Sequence, residues 1–186
     1  MYKIITPAAT EPISINEAKL HLREDTADAG NDALISAYIT SAREYAEHYT
    51  GRALMPQTLE MALHCFPGTL EPICLDMPPV TSLTSIKYTD LNGVEQTIAP
   101  SAYALSLYGN SEKVAPTYGN YWPFTQIIPN AVRIRYVTGY ITTTLSVKAA
   151  ILLHVQLQYD SLTPSQRDAL EKARDSLLNT IKVWGR

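Results

Sequence analysis

A chain of 186 residues with a hydrophobic fraction of 46%, a charged fraction of 18% and a formal net charge of -3 has the composition of an ordinary globular protein, not of a disordered one. One hydrophobic core stays efficient at this length, so a single domain over 1–186 carrying an inserted lobe is expected. The negative balance excludes an overall cationic field of the kind that holds nucleic acid through counterion release.

The opening residues 1–7 hold one lysine and no apolar stretch, so they do not read as a secretory signal, and the cytoplasm is the expected compartment. Residues 1–13 show no periodicity. Ser14-Ile15-Asn16-Glu17 then fits a capping box, with Ser14 as N-cap and Glu17 at N3, and predicts a short helix to about Arg23. The polar stretch 24–31 reads as a loop. Leu34, Ile35, Tyr38, Ile39, Ala42, Tyr45, Ala46 and Tyr49 recur at helical spacing, and Gly51 stands where a C′ glycine ends a helix.

Over 55–139 prolines and glycines punctuate short segments rich in Thr, Val, Ile and Tyr, which predicts strands at 58–66, 73–75, 85–89, 94–98, 103–107 and 132–137. Asn92-Gly93 is a hairpin signal. Helix returns near Ser146. The longest mostly apolar run, 147–157, is interrupted by Lys148 and His154 and is far short of the roughly 20 residues that span a bilayer, so it predicts a buried helix and no membrane partner. Thr163-Pro164-Ser165-Gln166 is a second capping box, after which Leu170, Ala173, Leu177, Ile181 and Trp184 form one apolar stripe. The fold class is α+β: a mainly helical body, from an N-terminal helix pair over 12–54 and two C-terminal helices over 145–184, with an inserted antiparallel β lobe over 55–140.

Chemistry is sparse. His21, His48, His64 and His154 have no metal-ligand spacing, no phosphate-cradling or nucleophile-elbow glycine motif occurs, and Cys65 and Cys74 fit reduced, mostly buried thiols. No catalytic residue, cofactor or metal is expected. The acidic stretch Glu24, Asp25, Asp28, Asp32 misses the EF-hand spacing and suits a solvated loop feeding a helix N-terminus. Arg133 and Arg135 alternate on a strand and should share one face, suited to ion pairing. Tyr118, Tyr121, Trp122 and Phe124 crowd a turn-rich loop, either packed beneath it or in a contact; exposed in a groove they would make a platform for sugars or other ligands.

Several segments together resemble the phage head-tail connector family: Pro12-Ile13-Ser14 with Glu17-Ala18-Lys19 and His21-Leu22-Arg23, and Ala42-Arg43-Glu44 through Tyr49-Thr50-Gly51-Arg52-Ala53-Leu54. They continue with Gln57-Thr58, Pro78-Pro79-Val80, Ser85-Ile86, Trp122-Pro123, 130–137 with Gly139-Tyr140, and Lys148-Ala149-Ala150-Ile151-Leu152-Leu153. The resemblance spans about 12–158. It implies a non-enzymatic structural subunit that forms a dodecamer-like ring beneath the portal protein, meets a head-closure or tail-completion protein, and lets DNA pass through its lumen. It also implies assembly in the bacterial host cytoplasm, a place at the head-tail junction of the virion, and subunits that can be monomeric in isolation. Arg43, Glu47, Arg52, Arg133 and Arg135 are the candidate interface residues, chosen for charge and expected exposure. The alternative function is a carbohydrate- or ligand-binding β module using the aromatic loop.

Overall fold

The computed structural model describes residues 2–107, 112–140 and 143–183. Trp184, the last member of the expected C-terminal stripe, lies outside the described residues. The chain divides into two compact units, one of residues 1–8 with 56–139 and one of 9–55 with 140–186.

The second unit is helical: α1 (Ile15–Leu22), α2 (Asp32–Thr50), α3 (Leu145–Tyr159) and α4 (Pro164–Asn179). Its boundaries follow from local chemistry. Ser14 Oγ accepts the Glu17 N–H at 3.2 Å while Glu17 Oε2 accepts the Ser14 N–H at 2.7 Å, satisfying two orphan donors at once. Thr163 and Gln166 repeat the arrangement before α4. Gly51, at φ 67°, ends α2 with its N–H on the Glu47 carbonyl, a left-handed conformation that glycine adopts without a Cβ penalty. The core of this unit is Ile13, Ala18, Ile35, Ile39, Ala42, Ala46, Leu54, Val147, Ala150, Ile151, Val155 and Leu178. The α4 stripe differs in part from the expected one: Leu177 and Ile181 pack against the core as expected, but the buried positions are Arg174 and Leu178, and Ala173 is exposed.

The first unit is antiparallel. A five-stranded sheet runs in the order β1 (Tyr2–Thr6), β2 (Gln57–Leu63), β8 (Val132–Thr138), β4 (Val80–Thr89), β5 (Glu95–Thr97), and a smaller one in the order β3 (Ile73–Cys74), β7 (Lys113–Pro116), β6 (Tyr103–Ser106). Central β8 alternates buried Val132, Ile134, Tyr136 and Thr138 with partly exposed Arg133, Arg135 and Val137, the period of two that puts one face inward. The expected hairpin forms over 90–94, with Gly93 at φ 82° and Asp90 Oδ1 accepting the N–H groups of Asn92 and Val94. Those bonds hold the Asp90 carboxyl below its ordinary range, Val94 first.

Two strands stand where none was expected. β1 is exposed along its whole length, so it has no alternation to read, and β7 ends on Pro116, a residue that argues against a strand unless it sits at an edge or end. β4 also begins five residues earlier than the expected 85–89 segment.

Candidate functional site

The outward face of the five-stranded sheet is a ladder of charges. Register sets Lys3 opposite Glu60 and Glu60 opposite Arg135, and, one row along, Ala62 opposite Arg133 and Arg133 opposite Lys87. Arg135 grips Glu60 through Nε and Nη2 at 3.1 and 2.7 Å. Glu95 on β5 takes both Lys87, at 2.9 Å, and Arg133. The expectation that Arg133 and Arg135 share a face is met, and both are engaged within the chain at side-chain exposures near 40%.

The remaining interface candidates lie elsewhere. Arg43 and Glu47 are not on the surface: their side chains are 8% and 9% exposed. Helical spacing explains the difference, because 43 and 47 flank the buried line of Ile39, Ala42 and Ala46, and the core stripe is one residue wider than its apolar members. Arg43 donates to Glu47 Oε2 and Glu11 Oε2, each at 2.8 Å, and Glu47 Oε1 accepts the Leu54 N–H at 2.8 Å. Burial pushes the Glu47 carboxyl up, against the opposing pull of the Leu54 N–H and Arg43. Burial also works against the Arg43 charge, but the Glu11 hydrogen bond and the carboxylates of Glu47, Glu11 and Glu44 outweigh it and raise its pKa. Arg52 lies beyond the end of α2 and donates to the Ile181 carbonyl and Tyr140 hydroxyl, tying the helix exit to the C-terminal segment.

Among the described residues no group of three His, Cys, Asp or Glu side chains could hold a metal. Cys65 is half-buried and Cys74 exposed, correcting the expectation of mostly buried thiols; Cys74 alternates with buried Ile73 and Leu75, so the pleat turns it outward. His154 is structural. Its Nδ1 lies 3.1 Å from Arg174 Nη1, its ring is 4.5 Å from that of Tyr45, and the Arg174 guanidinium stands 4.2 Å over Tyr45 and pairs with Asp175 at 2.8 Å. Burial, then the Arg174 charge, push its pKa down from 6.5 to about 4.

The sign of the pH effect follows. Between 6.5 and about 4 the unfolded imidazole is protonated and the folded one is not, so stability is fully present above pH 6.5 and falls as the pH drops toward 4. The full shift is worth about 3 kcal/mol, which solvent screening of a half-buried ring cuts to about 1–2 kcal/mol. Urea unfolding at pH 7 and pH 5 should show about half of that loss in the native chain, the rest following toward pH 4, and a flatter profile in His154→Gln; equal slopes in both would refute it.

The aromatic loop splits in two. Trp122 is buried, stacked on Phe66 at 4.9 Å and 3° between planes, with Nε1 donating to the Glu71 carbonyl at 2.8 Å. Tyr118, Tyr121 and Phe124 are exposed, and of the three Phe124 lines a cleft of about 250 Å³ together with Cys65, Phe66 and Trp122. The best stacking ring is therefore a structural one, and the ligand-platform alternative is not favoured.

Residues 12–88 match the family model described as Phage gp6-like head-tail connector protein. Three solved structures share the fold over the full chain. The neck of an empty GTA particle, computed with C6 symmetry, matches at 21% identity and TM-score 0.78, covering 100% of this chain and 99% of that one. The virion of a native gene transfer agent particle matches at 20% and 0.77, covering 100% and 97%. The neck of a native GTA particle, computed with C12 symmetry, matches at 19% and 0.70, covering 100% and 99%. No curated protein is a significant sequence relative of the chain.

Proposed function

We propose that this chain, of the gp6-like head-tail connector family over residues 12–88, is a structural connector subunit that forms a ring beneath the portal and links the DNA-filled head of a phage or prophage particle to its tail. The family match carries the reading. Agreement of fold over the whole length with neck subunits, in particles computed with C6 and C12 symmetry, supports a ring of twelve copies or a multiple of six. The partners are a portal protein on one side and a head-closure or tail-completion protein on the other. Assembly takes place in the host cytoplasm and the finished ring sits at the head-tail junction.

The physical properties agree with a structural part. His154, the histidine with the large downward shift, serves as a neutral acceptor for Arg174 and so has a packing role. A net charge of -3 suits a lumen through which DNA slides, since phosphate-neutralising contacts are what would hold it. The β lobe expected over 55–140 also takes in residues 1–8, whose strand β1 pairs with β2.

Light scattering over a wide concentration range, with and without the portal ring of the same genome, followed by electron microscopy, tests the reading. Rings, or rings capping the portal, are expected. A strict monomer indifferent to the portal at high concentration would sink it.

A further inference from the structure

The outward sheet face holds more than a balanced ladder. Lys3, Lys87, Arg133 and Arg135 share it with two carboxylates, Glu60 and Glu95, in a chain whose net charge is negative. Across it runs a groove of about 520 Å³, with Ala62 as the small residue in its floor, Lys3 and Arg133 among its walls, and Ile128 and Pro129 on its rim. Glu60 also lines it, but that carboxylate is held by both nitrogens of Arg135. Arg133 shares Glu95 with Lys87, so one carboxylate serves two cations at this end.

The same chain carries a segment of opposite character. In residues 24–32 four of nine side chains are carboxylates, and the others are small or polar. Asp32 is taken by Lys19, and Glu24 by the Tyr159 hydroxyl at 2.8 Å. Asp25 and Asp28 are exposed, each folding its own turn by accepting one backbone N–H, from Ala27 at 2.9 Å and Gly30 at 2.8 Å. These turns fix where the two charges stand, so little ordering entropy is lost when they meet a partner.

We infer that the groove is a contact between copies of this chain, in which the acidic loop 24–32 of one subunit lies across the cationic sheet face of the next, with Asp25 and Asp28 against Lys3 and Arg133. The inference rests on the ring reading above and names the contact that closes it. Donor and acceptor surfaces are different parts of the chain, so the contact is heterologous and repeats around an axis, as a ring needs, instead of terminating in a two-fold pair. DNA is a poorer occupant, because its phosphates would also meet Glu60 and Glu95 and the net negative charge of the whole chain. The small floor at Ala62 gives a loop built of Thr, Ala and Gly room to approach the sheet.

The test uses two full-length charge-reversal variants, Lys3→Glu with Arg133→Glu, and Asp25→Lys with Asp28→Lys, checked for native circular dichroism and melting. Ring formation is followed by mass photometry, alone and on the portal ring. Each variant by itself should need about tenfold more protein to assemble, since like charges now face each other. An equimolar mixture should recover to within about threefold of the native chain, because in an alternating ring each reversed groove meets a reversed loop and each native groove a native loop, so opposite charges face each other at every contact. Neutral variants, Lys3→Gln with Arg133→Gln, should weaken assembly in the same direction by less.

Native-like assembly by either folded variant alone, or no recovery in the mixture, would overturn the contact while leaving the ring intact as a finding. A native chain that forms no ring under any condition would remove the ring reading and the contact together.

Discussion

Replacing Glu47 by alanine should cost about 3–5 kcal/mol of folding stability, seen as a lower denaturant midpoint with little change in slope. The carboxylate is 9% exposed and accepts from the Arg43 guanidinium and the Leu54 N–H, with the Met55 N–H adding to their pull. Truncation leaves a buried cation short of its counter-charge and a buried amide without its acceptor, two penalties that arise together. Glu11 keeps its own bond to Arg43, so the network weakens without vanishing. The double variant Arg43→Met with Glu47→Leu should lose less than Glu47→Ala, because removing both charges lifts the desolvation cost that one alone leaves behind. A single variant that unfolds at the native midpoint would show the network to be energetically idle. The effect concerns the exit of α2, where Glu47 fastens the chain as it leaves the helix.

Trp122→Ala should destabilise the β unit by about 3–5 kcal/mol, the usual range for truncating a buried tryptophan. The ring is 4% exposed, lies flat on Phe66 and donates to the Glu71 carbonyl, so three supports go at once. Trp122→Phe keeps the stack and loses the indole donor, and should retain most of the stability. Thermal melting with limited proteolysis of the 117–130 segment reads the result. If Trp122→Ala left melting untouched but abolished binding to a glycan array, the ring would be a ligand platform after all.

Helices and caps were the most legible parts of this chain. Ser14 with Glu17, Thr163 with Gln166, and Gly51 act through contacts within a few residues, so their meaning survives in the linear order. The hairpin at Asn92-Gly93 was legible for the same reason. β1 was not, because its only backing is a pairing with β2 more than fifty positions away, and its side chains carry no buried face to mark it. Burial of Arg43 and Glu47 was equally hidden: a charged residue beside a core stripe reads as surface unless its partner, here Glu11 across an intervening helix, is seen. His154 was noticed for its apolar surroundings, but Arg174, twenty residues on, could not be inferred from spacing. The face shared by Arg133 and Arg135 was readable from strand alternation, whereas the carboxylates that meet them come from β2 and β5 and depend on register.

The way the chain passes between its two units imposes an order on synthesis. Every residue of the β unit has left the ribosome once Gly139 has, so that unit can close on a nascent chain. The helical unit cannot. Ile35 and Ile39 are covered only when Ile151, Val155 and Leu178 arrive, and at ordinary translation speeds of about 5–20 residues per second that wait lasts on the order of ten seconds. During that interval α1 and α2 expose an apolar stripe to a crowded cell, which makes residues 15–50 the segment that chaperones should meet, and makes the arrival of α4 the event that commits the helical unit to its final form.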